Sequence, residues 1–392
     1  MKRDAKENEN GSLRRWQLTF LVVGVVALAA CTVGFAVEPL QFFRSYLLAF
    51  IFWICLVVGA LGILMMGFVT GGRWQLILRR PLFAATKTLP LLFGFFLPVL
   101  LGLRWIYSWT DPAVVAIDET LQKKQGYLNE PFFIARAVAY FVIWTAVTYF
   151  LARWSKKKGT ADDPAKFDWR LEHLSGWGMF VVGITFSLAL VDWVMSLEPD
   201  WYSTIYAVSF ISGSMLSAYA FSIGFTALFV LRDPVADLIT REQMRGLGNL
   251  LLAFVMLWAY CSYSQFLLIW SGNLREEITW YIPRIQTEWG WIAIALILFH
   301  FFLPFFLLLS RDLKQKRKAL FAVALVVFVM RFVDVFWLVK PAFSPQSLWI
   351  SWLDLAATIG LGGVWLACFL WIYEREPLPV FEILQDERKG ND

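Results

Sequence analysis

Apolar residues run through this chain in blocks of about twenty, split by short polar connections. The blocks cover 16–37, 45–69, 88–107, 132–152, 174–197, 202–231, 246–271, 288–310, 318–339 and 349–373. A block of that length crosses the hydrocarbon core as a helix, where every backbone group must bond within its own segment. The pattern therefore predicts an all-α integral membrane protein with ten transmembrane helices. The first block follows a charged tail, 1–15, with no small-residue cleavage site after it. That reads as a retained helix rather than a signal peptide. The sixth block is long for one crossing, which predicts tilt or a kink.

Charge in the connections sets the orientation. Connections on the side of the N-terminus hold 26 of the 35 Lys and Arg, those on the opposite side hold 6, and Arg104, Arg136 and Arg331 fall inside spans. Basic loops stay in the cytoplasm, so both termini are expected there. The same alternation checks the helix count, because one missed span would scramble it. The opposite side is rich in aromatic residues: Trp105, Tyr107, Trp109, Trp201, Tyr202, Trp280, Tyr281, Trp289, Trp291, Trp349 and Trp352. Such belts mark a membrane–water interface.

Composition agrees with the pattern. Hydrophobic residues are 59% of the chain and charged ones 17%, with a mean hydropathy of +0.61. These values exclude a disordered chain and a typical soluble enzyme. Net charge is +5, but the bases sit in loops on one side, so they point to orientation rather than nucleic acid. The four cysteines, Cys31, Cys55, Cys261 and Cys368, each lie alone in an apolar run. With no paired cysteines and only His173 and His300, the chain lacks ligands for an iron–sulfur cluster, a zinc site or a bis-histidine haem. No phosphate-binding loop, dinucleotide turn or hydrolase motif occurs, so no catalytic residue is assigned.

Charge inside a bilayer costs on the order of 2.5–3.5 kcal/mol per residue, so the few intramembrane polar residues carry information. Arg331 and Asp334 lie three apart, on one face of the ninth span. They read either as a proton-handling pair or as a self-neutralising structural one. His300 lies mid-span, four residues before Pro304, which leaves the His300 carbonyl without its helical donor. It reads as a titrating group beside a site for water or a quinone head-group, or as a bonded core histidine. Tyr260, Tyr263, Ser264 and Gln265 cluster in the seventh span, with Tyr260, Tyr263 and Ser264 on one face. Ser203, Thr204, Ser209, Ser212, Ser214 and Ser217 in and before the sixth span read as water-wiring hydroxyls or as small packing residues. Asp192 near the end of the fifth span reads as an outer proton port or as an interfacial carboxylate. Lys87 and Asp354 sit at span ends, where a lysine snorkels.

One echo suggests a parallel repeat. Asp192 precedes Pro199, and Asp334 precedes Pro341, by the same seven residues at the same side.

Several stretches together resemble a known family. They are Asp192-Trp193-Val194-Met195-Ser196-Leu197-Glu198-Pro199-Asp200-Trp201-Tyr202-Ser203-Thr204, Tyr263-Ser264-Gln265-Phe266-Leu267-Leu268-Ile269-Trp270, Asn273 with Glu276-Glu277, Trp280-Tyr281, and Pro304-Phe305-Phe306-Leu307-Leu308-Leu309-Ser310-Arg311. This looks like the ActF-type subunit of bacterial alternative complex III, within the wider NrfD/polysulfide-reductase membrane-subunit family. The resemblance runs from about the second span to the tenth. The family pattern has Pro before Glu-Glu, where this chain has Arg275.

The resemblance implies two four-helix bundles, helices 2–5 (45–197) and 6–9 (198–340), with peripheral helices 1 (16–44) and 10 (341–373) and a cytoplasmic tail, 374–392. It implies a multi-pass subunit of a quinol:cytochrome c oxidoreductase in the bacterial inner membrane. Its implied partners are a multihaem cytochrome c, an iron–sulfur subunit, a larger ActC-type subunit, small membrane subunits and a terminal oxidase. Quinone or menaquinone and phospholipid are the implied small molecules, with the quinone residues unassigned. Protons would pass through Asp192, Asp334, Arg331, His300, Tyr260, Tyr263, Ser264 and Gln265, with Arg331 tuning Asp334. A standalone ion-coupled transporter and a scaffold subunit without a proton path are the competing readings.

The topology is directly testable. Alkaline phosphatase inserted within 108–131 should be active, and the same reporter at either terminus should be silent. Activity at a terminus would overturn the orientation.

Overall fold

The computed structural model describes residues 2–159, 163–229 and 240–376. The expected tail 374–392 falls mostly outside them, as do Met1, the end of the sixth block and Arg232 beyond it. Among the described residues the regular structure is entirely helical. The principal helices are α1 (Lys2–Val37), α2 (Pro39–Thr70), α3a (Arg73–Thr86), α3b (Leu89–Leu101), α4 (Glu130–Lys158), α5 (Pro164–Trp193), α6 (Thr204–Phe229), α7 (Arg241–Gly272), α8 (Trp289–Leu309), α9 (Arg317–Val339) and α10 (Trp352–Arg375). Among the described residues nine helices are long and apolar enough to cross a membrane.

The third block departs from expectation. It is not one helix over 88–107. Trp74–Thr86 and Leu89–Leu101 meet at a bend of 40° across a short break, followed by a separate turn, Leu103–Ile106. Pro90 causes the break: it has no N–H to offer the carbonyl four residues back. Thr86 and Thr88 hydroxyls bond local carbonyls at the joint. Elsewhere the helices outrun their apolar blocks. α5 starts ten residues early because Pro164 sits in its first turn, where a missing N–H costs nothing. α1 likewise continues back through the charged tail.

Two helices form the centre. α2 is apolar all round and buried along its length, the mark of a core helix. It packs against α6, α5, α3a, α10 and α1, while α6 packs against α2, α9 and α7. Helices α2 to α5 touch one another in sequence order around α2, and α6 to α9 do the same around α6. α1 lies outside, laid along α10, with most of its surface exposed. Connections 102–129, 194–203, 273–288 and 340–351 gather at one end of the molecule, here the aromatic end.

The two centres approach closely at Gly59. A Cβ there would lie 2.1 Å from the Ser214 backbone oxygen. Gly59→Ala should therefore push α2 from α6 and destabilise the protein by about 1–3 kcal/mol. Gly62→Ala, whose Cβ would meet the flexible Met215 side chain at 3.6 Å, should be tolerated. Thermal unfolding of the two variants in detergent checks the contrast.

Candidate functional site

Asp192 is the penultimate residue of α5 and is fully buried. α4 begins under an Asn129 cap, which sets Arg136 two turns into the helix and Tyr140 one turn further. Arg136 donates from Nε and Nη2 to the two carboxylate oxygens of Asp192, both at 2.9 Å. The Tyr140 hydroxyl donates to Oδ2 at 2.8 Å. Both oxygens are thus engaged. The guanidinium also donates to the Tyr127 carbonyl and lies over the Tyr127 and Phe132 rings at 3.9 and 4.2 Å. Burial, then the nearby Asp192 charge, pushes the Tyr127 phenol up to about 12. The Arg136 group ties α4 to α5 and leaves Asp192 no free oxygen.

Asp334 is held differently. Arg331, one turn earlier on α9, donates to Oδ2, and the Trp258 indole of α7 donates to the same oxygen at 2.9 Å. Oδ1 accepts no hydrogen bond from a described residue. Arg331 is fully buried and also donates to the Phe210 carbonyl of α6. It fits because residue 213 is glycine: a Cβ there would lie 2.4 Å from the guanidinium carbon.

Trp258 links this pair to His300. The imidazole packs edge-on against the indole at a centroid distance of 4.1 Å. His300 is fully buried, and neither ring nitrogen has a partner among the described residues. It sits in a π-helical stretch, Leu296–Phe302, where the Leu303 N–H reaches back to Leu298. Pro304 withholds a donor just beyond, so the ladder slips by one residue and accommodates the slip as a wider turn.

A cavity of about 1040 Å³ opens between α7, α8, α9 and the 280–287 turn. Its walls are mainly apolar, and Asp334, Gln265, Trp258 and Trp337 belong to its lining. Gln265 is buried, and neither its Nε2 nor the Trp337 Nε1 has a partner among the described residues. Tyr260 and Tyr263 stand at the rim, 69% and 61% exposed. The structure thus gathers Asp334, Arg331 and His300 about Trp258, puts Gln265 two turns further along the buried face of α7, and sets Tyr260 and Tyr263 outside them. Asp192 belongs to a separate cluster.

Three features were missed in the sequence. Arg136 was placed inside a span but not paired with Asp192. Trp258 was overlooked, although 258, 261, 265 and 269 trace the buried face of α7 at helical spacing. Arg284 and Lys340 counted only as loop charges. Arg284 is fully buried, bonded to Glu198 at 2.7 Å, to two carbonyls, and stacked on Trp280 at 3.7 Å. Lys340 grips Asp354 at 2.9 Å, with the Ser45 hydroxyl donating to the same carboxylate. Lys87 ion-pairs with Glu376. Of the α6 hydroxyls, Ser212 bonds the Ser209 carbonyl and Ser214 the Phe210 carbonyl, Ser209 meets Ser262 across to α7, and Ser217 has no partner among the described residues. Among the described residues no group of three or more His, Cys, Asp or Glu side chains is placed to hold a metal.

No protein-family model matches the chain, and no curated protein matches it.

Breaking the Arg136–Asp192 pair should be costly. Arg136→Met leaves a buried carboxylate without its cation and should destabilise the protein by about 3–5 kcal/mol. The double variant Arg136→Met with Asp192→Leu should recover most of that loss. Denaturant unfolding of the single and double variants measures the difference.

Proposed function

We propose that the chain is a membrane subunit of a quinol-oxidising respiratory complex of the alternative-complex-III type. It crosses the bacterial inner membrane ten times, counting the broken α3a–α3b pair, with both termini cytoplasmic and two four-helix bundles, α2–α5 and α6–α9. Its redox partners are the multihaem cytochrome c, iron–sulfur and ActC-type subunits, and quinol is the electron donor of the assembly. The sequence motifs support membership of such a complex. One observation supports a proton role: Asp334 is buried, lines a large cavity, and has one carboxylate oxygen that accepts no hydrogen bond from a described residue.

In this reading Asp334 is the exchanging carboxyl. Arg331 balances its charge when ionised and turns to the Phe210 carbonyl when Asp334 is protonated. Gln265, Tyr260 and Tyr263 line the approach, whereas His300, packed on Trp258, and the half-buried Ser264 lie off the cavity lining. Asp192, with both oxygens bonded, takes the lesser part, that of an outer acceptor released only if Arg136 moves. The saturated pairs Arg136–Asp192, Arg284–Glu198 and Lys340–Asp354 favour the scaffold reading for the rest of the molecule. The broken third span favours a transporter, although α8, not its counterpart α7, carries the irregularity in the second half.

Affinity purification from native membranes in mild detergent should bring down haem-bearing and iron–sulfur subunits. A colourless chain, stable alone, would overturn the complex reading and bring the transporter forward. In proteoliposomes of the complex, Asp334→Asn should abolish the proton release per quinol beyond the two protons that quinol oxidation itself yields, as expected when a positioned proton-transfer group is lost. An unchanged ratio in both Asp334→Asn and His300→Phe would sink the proton role.

A further inference from the structure

The outward face of α7 has unmet hydrogen-bonding groups at the wrong depth for lipid. Met256, Tyr260, Tyr263, Leu267 and Trp270 follow one another at spacings of four and three and are all exposed. That stripe extends over about 21 Å of helix at 1.5 Å per residue. The Tyr260 and Tyr263 hydroxyls make no hydrogen bond with any described residue. Tyr260 lies twelve residues from the end of α7, about 18 Å inside it and near the middle of a core about 30 Å thick. A tyrosine hydroxyl there does not reach the headgroups. Acyl chains offer it no partner, and each unmet polar group in hydrocarbon costs several kcal/mol.

α8 presents a second stripe beside the first: Trp291, Ile294, Leu298, Phe302 and Phe306, all exposed. The two helices touch along Leu303–Leu309 and the π-helical stretch, and diverge toward the aromatic end. The wedge between them is the cavity, and three further polar residues line it: Gln265 and Trp337, whose Nε2 and Nε1 have no partner among the described residues, and Asp334. A ring-sized lipophile would reach Gln265 and Asp334 but leave most of the two stripes uncovered. An extended helix covers both, and spacings of three and four residues are what helix-to-helix packing requires.

We propose that the α7–α8 groove seats one transmembrane helix of a partner subunit. That helix presents a face of small and neutral hydrogen-bonding residues, such as Ser, Thr, Asn and Gln. Small residues let it enter the wedge, and amide or hydroxyl groups meet Tyr260, Tyr263 and Gln265. It carries no charge on that face, because Arg331 already balances Asp334. The inference takes from the proposed function only that the chain works as one subunit of an assembly.

The test is site-specific photo-crosslinking in the native membrane. Benzoylphenylalanine would replace Met256, Tyr260 or Leu267, with Phe180 on the exposed apolar face of α5 as the control. The α7 positions should each give an adduct with one and the same polypeptide, mapping to an apolar span with a polar face. The control should give lipid adducts. Independently, Tyr260→Phe with Tyr263→Phe should leave thermal stability of the isolated chain unchanged or higher. The same double variant should lower recovery of the crosslinked subunit by roughly five- to tenfold, the loss of two interhelical hydrogen bonds. Adducts with lipid, with a small lipophile or with a second copy of this chain, in an intact complex, would overturn the inference and leave the proposed function standing. Loss of the redox subunits from the preparation would overturn the proposed function, while a single-polypeptide α7 adduct would still support the groove.

Discussion

Hydrocarbon offers no partner to a charge, so an ionised side chain inside this bundle must be packed with its counter-charge. Arg136, Arg284, Arg331 and Lys340 are all buried, and each meets a carboxylate. Replacing such a pair with apolar residues can be neutral or stabilising, whereas removing one member is costly. The pairs therefore act less as a source of stability than as rules on which helices meet. Arg136 fixes α4 to α5, Arg284 fixes the 280–287 turn to the end of α5 and to α9, and Lys340 fixes the end of α9 to α10 and α2.

Within that frame the two halves differ at matching aspartates. Asp192 spends both oxygens on Arg136 and Tyr140, drawn from a neighbouring helix. Asp334 takes its arginine from its own helix, and the neighbouring α7 supplies an indole with a single donor. One oxygen is left over as a result. The slip in α8 adds a second irregularity on the same side, with an imidazole at its centre. The second half thus leaves one oxygen of its aspartate without a donor near an unpartnered imidazole, whereas Asp192 in the first half has both oxygens engaged.

The crossings were legible because lipid imposes a simple length rule on apolar runs, and α2, α4 and α9 follow it. The break before α3b was not, since the apolar run continues through Pro90 and hydropathy does not register a missing N–H. Asp192, His300, Arg331 and Asp334 were legible as exceptional residues, because charge within an apolar block stands out. Their partners were not. The Arg331–Asp334 pair shows at a spacing of three, but Arg136 lies 56 residues from Asp192 and Arg284 lies 86 from Glu198. Such contacts belong to the packing of helices. Trp258 was hidden for another reason: a tryptophan in an apolar span looks ordinary until its N–H is seen bonding a carboxylate. The face chosen on α7 from its tyrosines turned out to be the outward one, and its neighbour Gln265 points inward.

The distance in sequence between Arg136 and Asp192 also bears on how the protein is made. Membrane helices enter the bilayer in the order of synthesis. When α4 emerges, Arg136 lacks its partner, and Asp192 arrives only with the last turn of α5. For that interval α4 is a poor candidate for release into lipid on its own. The insertion machinery must hold it, or the arginine must stay near the surface until α5 follows. The pair thus makes α4 and α5 a single unit of biogenesis, admitted together as a hairpin, before the later helices close around them.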